Sequence, residues 1–297
     1  MVCQKHRTRV CGRRAWTICT LRARPARLCL PFDNHFLPVN FRFASSRLRI
    51  WLTGVVGLVL AVHGQAALAD QALVAVAANF APAMARIAAT FERDTGHTLA
   101  ITAGATGKFN AQIRAGAPFD VLLAADDDTP RQLESDGLAV KGQRFTYARG
   151  KLVLWSARPG VVDAQGAVLK QGAFERLALA NPKLAPYGTA AMEVISRLGL
   201  AERLLPRIVQ GESIAQAYQF VSTGNADLGF VALSQVTPPD RTPTGSWWVV
   251  PGHLYTPLLQ DAVLLQHGQN NAAAKALMAY LRTDKARTVI GAYGYEF

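Results

Sequence analysis

Two stretches of the chain combine a short apolar strand, a small-residue turn and the start of a helix, and each carries a hydrogen-bonding side chain at its turn. The apolar run Leu73–Ala77 is followed by Asn79, and Leu99–Ala103 is followed by Thr106. Backbone N–H groups and the positive end of the helix dipole point out of such helix starts, which favours anion binding. Each side chain alone could simply cap its helix. Two such turns in adjacent βα units indicate an anion site.

The second half of the chain repeats these strand–loop–helix units. The apolar run Leu177–Ala180 leads through a proline-rich loop, which contains Tyr187, into the predicted helix Ala190–Leu198. Gly211–Ser213 precedes another predicted helix, Ile214–Val221. Because ligands of open α/β sheets bind beyond the carboxyl ends of the strands, we expect all four helix starts to face one cleft.

Residues 70–297 contain few groups that could perform catalysis. Their histidines, His97, His253 and His267, are far apart in the sequence, and the chain has no G-x-S-x-G, H-E-x-x-H or Walker motif. The consecutive carboxylates Asp126–Asp128 could bind a metal ion, but calcium-loop spacing is absent and negative charge at the start of the next helix is favoured. We therefore expect a binding protein. A secreted enzyme that acts on phosphate esters is the alternative from another class.

The positive charge of the chain is concentrated at its N-terminus. Residues 1–69 hold 11 of the 32 Lys and Arg residues and a single acidic residue, whereas residues 70–297 hold 21 basic and 19 acidic residues. The part of the chain that is expected to fold is therefore nearly neutral. The formal net charge of +12 does not indicate nucleic-acid binding by that part.

Residues 47–69 have the organisation of a secretory signal peptide. Two arginines precede the apolar core at 50–62, and a small-x-small cleavage site at 67–69 precedes Asp70. The core is shorter than the ~20 residues that a membrane-spanning helix needs. The sequence thus predicts export to the periplasm and a mature chain that begins at Asp70, with an uncleaved membrane anchor as the alternative.

Residues 1–46 precede the signal peptide and have no hydrophobic period that would fold. We interpret them as a non-native or disordered extension. A start codon that was assigned too far upstream would explain it. A basic arm for nucleic acid is the alternative. The mature chain is predicted to lack disulfides and cysteine metal ligands, because all four cysteines of the sequence lie in this extension: Cys3, Cys11, Cys19 and Cys29.

The order of the predicted elements indicates an α/β protein with two lobes, built from mostly parallel sheets with helices on both faces. We assign residues 70–150 and 255–297 to lobe 1 and residues 151–254 to lobe 2. The chain would cross between the lobes twice. Two crossings form a hinge, and closure about a hinge buries a ligand in the cleft between the lobes.

The polar residues at the turns suggest which kind of anion the cleft would hold. Backbone N–H groups, hydroxyls and an amide can replace the water shell of an anion without a buried countercharge. Hydrogen phosphate has an O–H group and needs an acceptor, whereas a fully deprotonated dianion needs donors only. Asn, Thr and Tyr at these positions, rather than Asp, favour a fully deprotonated dianion.

The segment VAVAANFAPAMARIAATFERDTGHTLAITAGATGKFNAQIRAGAPFDVLLAADD, the loop NPKLAPYGTAA and the segment GNADLGFVALSQV together resemble the molybdate-binding periplasmic components of ABC transporters, the ModA family. The resemblance covers essentially all of residues 70–297 and none of the extension. It implies a type II periplasmic binding protein fold with two crossover strands. It also implies a monomeric protein that carries molybdate or tungstate to a membrane permease and has no cofactor. Sulfate or phosphate is the alternative cargo.

The resemblance also implies which residues contact the oxyanion. Lobe 1 would contribute Ala78 and Asn79 from the motif AANF and Thr106 from GATGKF. Lobe 2 would contribute Tyr187 from the PYG loop and Ile214 from ESIAQA. Ala78 and Ile214 would act through their backbones. No residue is expected to bind a metal cation directly.

Overall fold

The computed structural model describes residues 69–297. The predicted extension 1–46, its cysteines and the apolar core of the predicted signal peptide lie outside the described residues. Within residues 69–297, none of the helices has the length and the apolar character needed to cross a membrane. Residues 69–297 belong to one compact unit.

Strands and helices alternate along most of the chain. The strands are β1 (Gln71–Ala77), β2 (Thr98–Gly104), β3 (Val121–Leu123), β4 (Phe145–Gly150), β5 (Leu152–Ser156), β6 (Leu177–Ala180), β7 (Ile208–Gly211), β8 (Leu228–Ala232), β9 (Ser246–Val249) and β10 (Leu258–Leu264). The α-helices are α1 (Ala81–Thr95), α2 (Thr106–Arg114), α3 (Asp128–Ser135), α4 (Val168–Gln171), α5 (Pro186–Arg197), α6 (Ala201–Leu204), α7 (Ile214–Ser222), α8 (Leu233–Val236), α9 (Ala272–Tyr280) and α10 (Asp284–Ala292). Short 3₁₀ helices occupy Leu205–Arg207, Gly252–Leu254 and His267–Asn270.

The strands form two five-stranded sheets of the same design. The first sheet has the order β2-β1-β3-β10-β4, and the second has the order β7-β6-β8-β5-β9. In each sheet the first three strands are parallel, and the fourth is antiparallel to both of its neighbours. The sheets are therefore mixed. The antiparallel pairings involve β5 and β10, which are the first strands after each crossover between the sheets. The chain reverses its direction at these crossovers.

The chain passes between the sheets at two places. It leaves the first sheet at the end of β4 and enters β5 after a single residue, Lys151, and it returns through the connection between β9 and β10. The expected two-lobe α/β fold with two crossovers is thus the fold of the described residues. Because the chain passes twice between the two sheets, the two connections can act as a hinge about which the lobes close.

The first helix shows why the sequence folds as it does locally. Met84, Ile87, Ala88 and Phe91 recur at helical spacing, and all four side chains are buried against the first sheet. Gly96 ends the helix with a φ of 75°, and its N–H donates to the carbonyl of Glu92. A left-handed residue of this kind is a common helix stop, because glycine adopts a positive φ without steric cost.

The two lobes are in contact through the turns that end their parallel strands. The N–H of Gly107 donates to the carbonyl of Leu184 in the other lobe, with an N···O distance of 2.8 Å. The side chains of Ala78 and Ala105, from the first lobe, belong to the hydrophobic cluster of the second lobe. The cleft between the sheets is therefore closed over the helix starts.

Candidate anion-binding site

The sequence-predicted site residues all lie at the edge where strands end and helices begin. Asn79 follows β1, Thr106 is the first residue of α2, Tyr187 is the second residue of α5 and Ile214 is the first residue of α7. All four are at least 97% buried, and Ala78 is also buried. The fold thus places these four helix starts, two from each lobe, at the closed cleft.

Asn79 does not cap a helix, which corrects one of the two roles considered for it. The N-cap of α1 is Phe80, and no side chain caps that end. The Asn79 Nδ2 group donates instead to Gln260 Oε1 at 2.9 Å and to the Tyr295 hydroxyl at 3.0 Å. Both amide protons are therefore used within the protein. Within residues 69–297 the backbone N–H of Asn79 has no hydrogen-bond acceptor, so this N–H is the group that Asn79 can offer to an anion.

The carbonyl of Asn79 joins the two lobes. It accepts a hydrogen bond from the Tyr295 hydroxyl at 2.8 Å and another from the Ser234 hydroxyl at 3.0 Å. Ser234 lies in α8 of the second lobe, whereas Tyr295 belongs to the C-terminal segment that packs on the first sheet. These buried bonds fix the turn after β1 and orient its backbone.

The hydroxyls of Thr106 and Tyr187 are both arranged as donors. Thr106 Oγ1 accepts the Ala125 N–H at 3.0 Å, and the Tyr187 hydroxyl accepts from Gln260 Nε2 at 3.1 Å. A hydroxyl has a single proton, which each oxygen keeps available for a further partner. Burial raises the pKa of Tyr187 well above its usual value, so the phenol stays protonated. One neutral donor from each lobe is thus ready for an anion.

The backbone contacts expected of Ala78 and Ile214 differ in the structure. The Ala78 N–H already donates to the Gly104 carbonyl at 2.8 Å, so Ala78 can add only its buried methyl group. In the described part of the chain, the Ile214 N–H meets no acceptor at the start of α7. The Ser213 side chain caps this helix, and the Ile214 carbonyl accepts from Gln235 Nε2 at 3.2 Å. Ile214 therefore offers a helix N-terminal N–H.

Sequence analysis missed the residue that connects these groups, Gln260 of β10. It is fully buried and hydrogen-bonds to Asn79, Tyr147 and Tyr187. A polar Gln-Asp pair inside the otherwise apolar strand LLQDAVL is the signal that could have identified it. Ser234 and Tyr295 were missed as well. Ser234 is the second residue of the short helix α8, which follows β8 without a glycine- or proline-containing turn, and Tyr295 lies in the C-terminal segment after α10.

The three consecutive carboxylates serve the start of α3. Asp126 accepts from the Thr129 N–H at 2.8 Å, and Asp127 and Asp128 form ion pairs with Arg131. Burial raises the pKa of Asp126 to about 6. Within residues 69–297 there is no group of three or more His, Cys, Asp or Glu residues that could hold a metal ion. The arrangement is that of charges at a helix N-terminus.

The donors that the site offers to an anion are uncharged. The groups described above that can face an anion are N–H groups and hydroxyls, not charged side chains. Lys108 follows Thr106 in α2, but its Nζ is paired with Glu212 Oε2 of the other lobe at 2.7 Å. Polar donors that the fold holds in place, in a cleft closed to water, can stabilise an anion without a countercharge.

Two lobes, two crossovers and a closed cleft lined by helix starts are the features of a solute-binding protein. The sequence profile of the bacterial extracellular solute-binding proteins matches residues 72–296. The chain belongs to the ModA family of these proteins. Its family membership makes it a component of a transport system and not an enzyme.

Individual relatives agree with this assignment. The chain is 56% identical to the molybdate-binding protein ModA of Azotobacter vinelandii, over 85% of this chain and 98% of the relative. It is 51% identical to the molybdate-binding protein ModA of Rhodobacter capsulatus, over 77% of this chain and 89% of the relative. The solved structure of the Azotobacter vinelandii periplasmic molybdate-binding protein matches with a TM-score of 0.74 and 41% identity, over 76% of this chain and 99% of that one.

Proposed function

We propose that this protein captures molybdate, and also tungstate, in the periplasm and delivers it to the membrane permease of an ABC transporter. The observation that carries the proposal is the pair of hydroxyls from opposite lobes, Thr106 and Tyr187. Each accepts a hydrogen bond from the protein and keeps its proton for a ligand. Tungstate has the charge and shape of molybdate and nearly its size, so the same donors serve both.

The helix starts supply the remaining contacts of the proposed site. The N–H groups of Asn79 and Ile214 belong to different lobes, so an anion between them would hold the lobes together. The ligand would therefore stabilise the closed form of the protein, and the permease would recognise that form. The names of the relatives support molybdate as the cargo, and the arrangement of the described hydroxyls and N–H groups as donors disfavours hydrogen phosphate. Sulfate, which also lacks a proton, remains the alternative and differs mainly in size.

Before it binds a ligand, the chain is processed and folds into two lobes. We propose that residues 47–69 are removed as a signal peptide and that the mature chain begins at Asp70. Residues 70–150 and 255–297 then act as lobe 1 and residues 151–254 as lobe 2. The mature protein works as a monomer and needs no cofactor, since molybdate is its cargo.

Thermal unfolding of residues 70–297 with different anions tests the proposal. A ligand at 100 times its Kd contributes about 2.7 kcal/mol, which raises the Tm of a chain of this size by roughly 5–11 °C. We expect this shift with molybdate and tungstate, and a smaller one with sulfate at equal concentration. An equal or larger shift with phosphate would contradict the proposed cargo. No shift with any tetrahedral anion would contradict the anion site itself.

A further inference from the structure

Gln260 occupies an irregular position in the first sheet. It pairs with Ala148 of β4, whereas its neighbour Asp261 pairs with Thr146, so Tyr147 is an extra residue that forms a β-bulge. Bulges re-aim side chains and are common beside functional sites. Here Asp261 is committed to Arg144 and to Thr146, whose Oγ1 lies 2.7 Å from Asp261 Oδ1. The Gln260 side chain is left to face the cleft residues.

The orientation of the Gln260 amide is fixed by its partners. Its Oε1 accepts from Asn79 Nδ2 at 2.9 Å and from the Tyr147 hydroxyl at 3.1 Å, and its Nε2 donates to the Tyr187 hydroxyl at 3.1 Å. Reversing the amide would place two NH₂ groups, those of Asn79 and Gln260, against each other. Because Asn79 is itself held by Tyr295, only one orientation satisfies the whole buried network.

Gly150 leaves room for this pair of side chains. A Cβ atom on Gly150 would overlap both the Tyr187 hydroxyl and the Gln260 Nε2 group, so backbone and side chains are in close contact there. Gly150 ends β4, where the chain leaves the first sheet. The crossover thus passes close to the hydrogen bond between Gln260, from the first lobe, and Tyr187, from the second.

The direction of this hydrogen bond has a chemical consequence. Because the Tyr187 oxygen accepts a hydrogen bond from Gln260 Nε2, its own proton points toward another partner and the hydroxyl acts as a donor. Sulfate and molybdate carry no proton at neutral pH and bind donors only. Hydrogen phosphate has the charge of sulfate and almost its size, but it carries one O–H group that needs an acceptor.

We propose that Gln260 is a positioning residue that fixes the Tyr187 hydroxyl as a donor and thereby excludes oxyanions that carry a proton. The inference rests on the proposed function of the cleft. Gln260 acts through Tyr187, and the selectivity concerns the proton on the ligand rather than its size or charge.

The ratio of sulfate affinity to phosphate affinity at pH 8 measures this selectivity. At that pH phosphate is mainly the hydrogen phosphate dianion, so charge and size cancel in the ratio. Gln260→Met keeps the length of the side chain and removes both the donor to Tyr187 and the acceptor for Asn79. We expect the ratio to fall by about tenfold, the value of one net hydrogen bond. The Tyr187 hydroxyl would then be free to rotate and accept.

A second variant keeps the test decisive if Gln260→Met does not fold. In Gln260→Glu the introduced carboxylate would accept a hydrogen bond from the Tyr187 hydroxyl, which turns the oxygen lone pairs toward the ligand. The charge of the carboxylate would weaken the binding of sulfate and of hydrogen phosphate alike. The ratio of the two affinities therefore again reports only the direction of the Tyr187 hydroxyl. The expected result is once more a fall of about tenfold or greater.

Thr146→Val is the matched control. It removes a hydrogen bond to Asp261 at the same bulge and leaves Gln260 untouched, so the ratio should stay at the wild-type value. A folded Gln260 variant that lowers both affinities by one common factor would overturn the inference, since Gln260 would then be structural only. A wild-type protein that binds molybdate, and that binds phosphate as tightly as it binds sulfate, would overturn the inference. The proposed cargo would still stand. Wild-type protein that binds no oxyanion would overturn both.

Discussion

Lys108 Nζ and Glu212 Oε2 lie 2.7 Å apart and join the two lobes across the mouth of the cleft. Lys108 belongs to the first turn of α2, and Glu212 immediately precedes the cap of α7. In the structure the partner of Glu212 is therefore a lysine of the other lobe. The Lys108 ammonium lowers the pKa of the Glu212 carboxyl through their hydrogen bond. The pair favours the closed arrangement of the lobes.

The interlobe pair predicts a small, salt-dependent effect on binding. Lys108→Glu would place two carboxylates at the cleft mouth, so molybdate affinity should fall by about threefold, since exposed pairs contribute little. The affinity should recover in the reversed pair, Lys108→Glu with Glu212→Lys. Titrations at low and at high salt check this, because screening should reduce the effect. An unchanged affinity in the single variant at low salt would show that the pair does not favour closure.

Removing the Tyr187 hydroxyl should weaken binding strongly. Tyr187→Phe deletes a donor to a charged ligand, so we expect molybdate affinity to fall by about 10- to 100-fold. Tyr280→Phe is the matched control, because the Tyr280 hydroxyl bonds Asp94, away from the cleft. Calorimetric titration of both variants measures the difference. Equal affinities would mean that Tyr187 does not contact the anion.

The Thr106 hydroxyl should be needed, but its methyl group should not. Thr106→Ser keeps the donor and the bond from the Ala125 N–H, so binding should stay close to that of the wild type. Thr106→Val keeps the shape, leaves the Ala125 N–H without its acceptor and should lower molybdate affinity by about tenfold or more. Should the two variants bind equally well, Thr106 would be a packing residue.

Asn79→Ala should destabilise the protein even without a ligand. It removes the donors to Gln260 and Tyr295, which are buried, and unpaired buried polar groups each cost about 1–3 kcal/mol. Urea unfolding of the ligand-free protein measures the loss. Asn225→Ala is a suitable control, since Asn225 is exposed and bonds only Thr223 in the described structure. A ligand-free stability equal to that of the wild type would contradict the internal role of the Asn79 amide.

Asp126 predicts a pH dependence of stability. Its folded-state pKa of about 6 lies above the value of 3.8 for an unperturbed carboxyl, because burial disfavours the charged form. Between these values the folded state binds more protons than the unfolded state, so the free energy of unfolding falls as pH rises from 4 to 6. The decrease is on the order of 1–3 kcal/mol.

Asp126→Asn isolates this contribution. The amide oxygen can still accept the Thr129 N–H at the start of α3, but it does not titrate. Urea unfolding between pH 4 and pH 7 should therefore show a flatter profile for the variant than for the wild type. Parallel profiles would show that Asp126 titrates normally in the folded protein.

Much of the fold follows from local sequence signals, whereas the contacts of the site do not. The apolar runs and glycine stops place α1 and its neighbouring strands, because strand and helix periods are local properties. The sequence also places Asn79 and Tyr187 at helix starts. It does not reveal that Gln260, 181 residues after Asn79 and 73 after Tyr187, connects the two. Such partners depend on how two distant crossovers bring the sheets together.

The same limit explains the altered roles of Ala78 and Asn79. Local pattern cannot show that the Ala78 N–H would be used by Gly104 of the neighbouring strand, or that Tyr295 would use one proton of the Asn79 amide. The mixed character of the sheets was also hidden. The direction of β10 depends on the return of the chain from the second lobe, which no short segment encodes.

Calorimetric titration of wild-type residues 70–297 with molybdate, and separately with phosphate at pH 8, tests the central claim most directly. A cleft that presents only donors predicts binding of one molybdate ion per chain, with phosphate at least about 100-fold weaker because its proton finds no acceptor. Phosphate binding as tight as that of molybdate, or no molybdate binding at all, would contradict a donor-only site between the lobes.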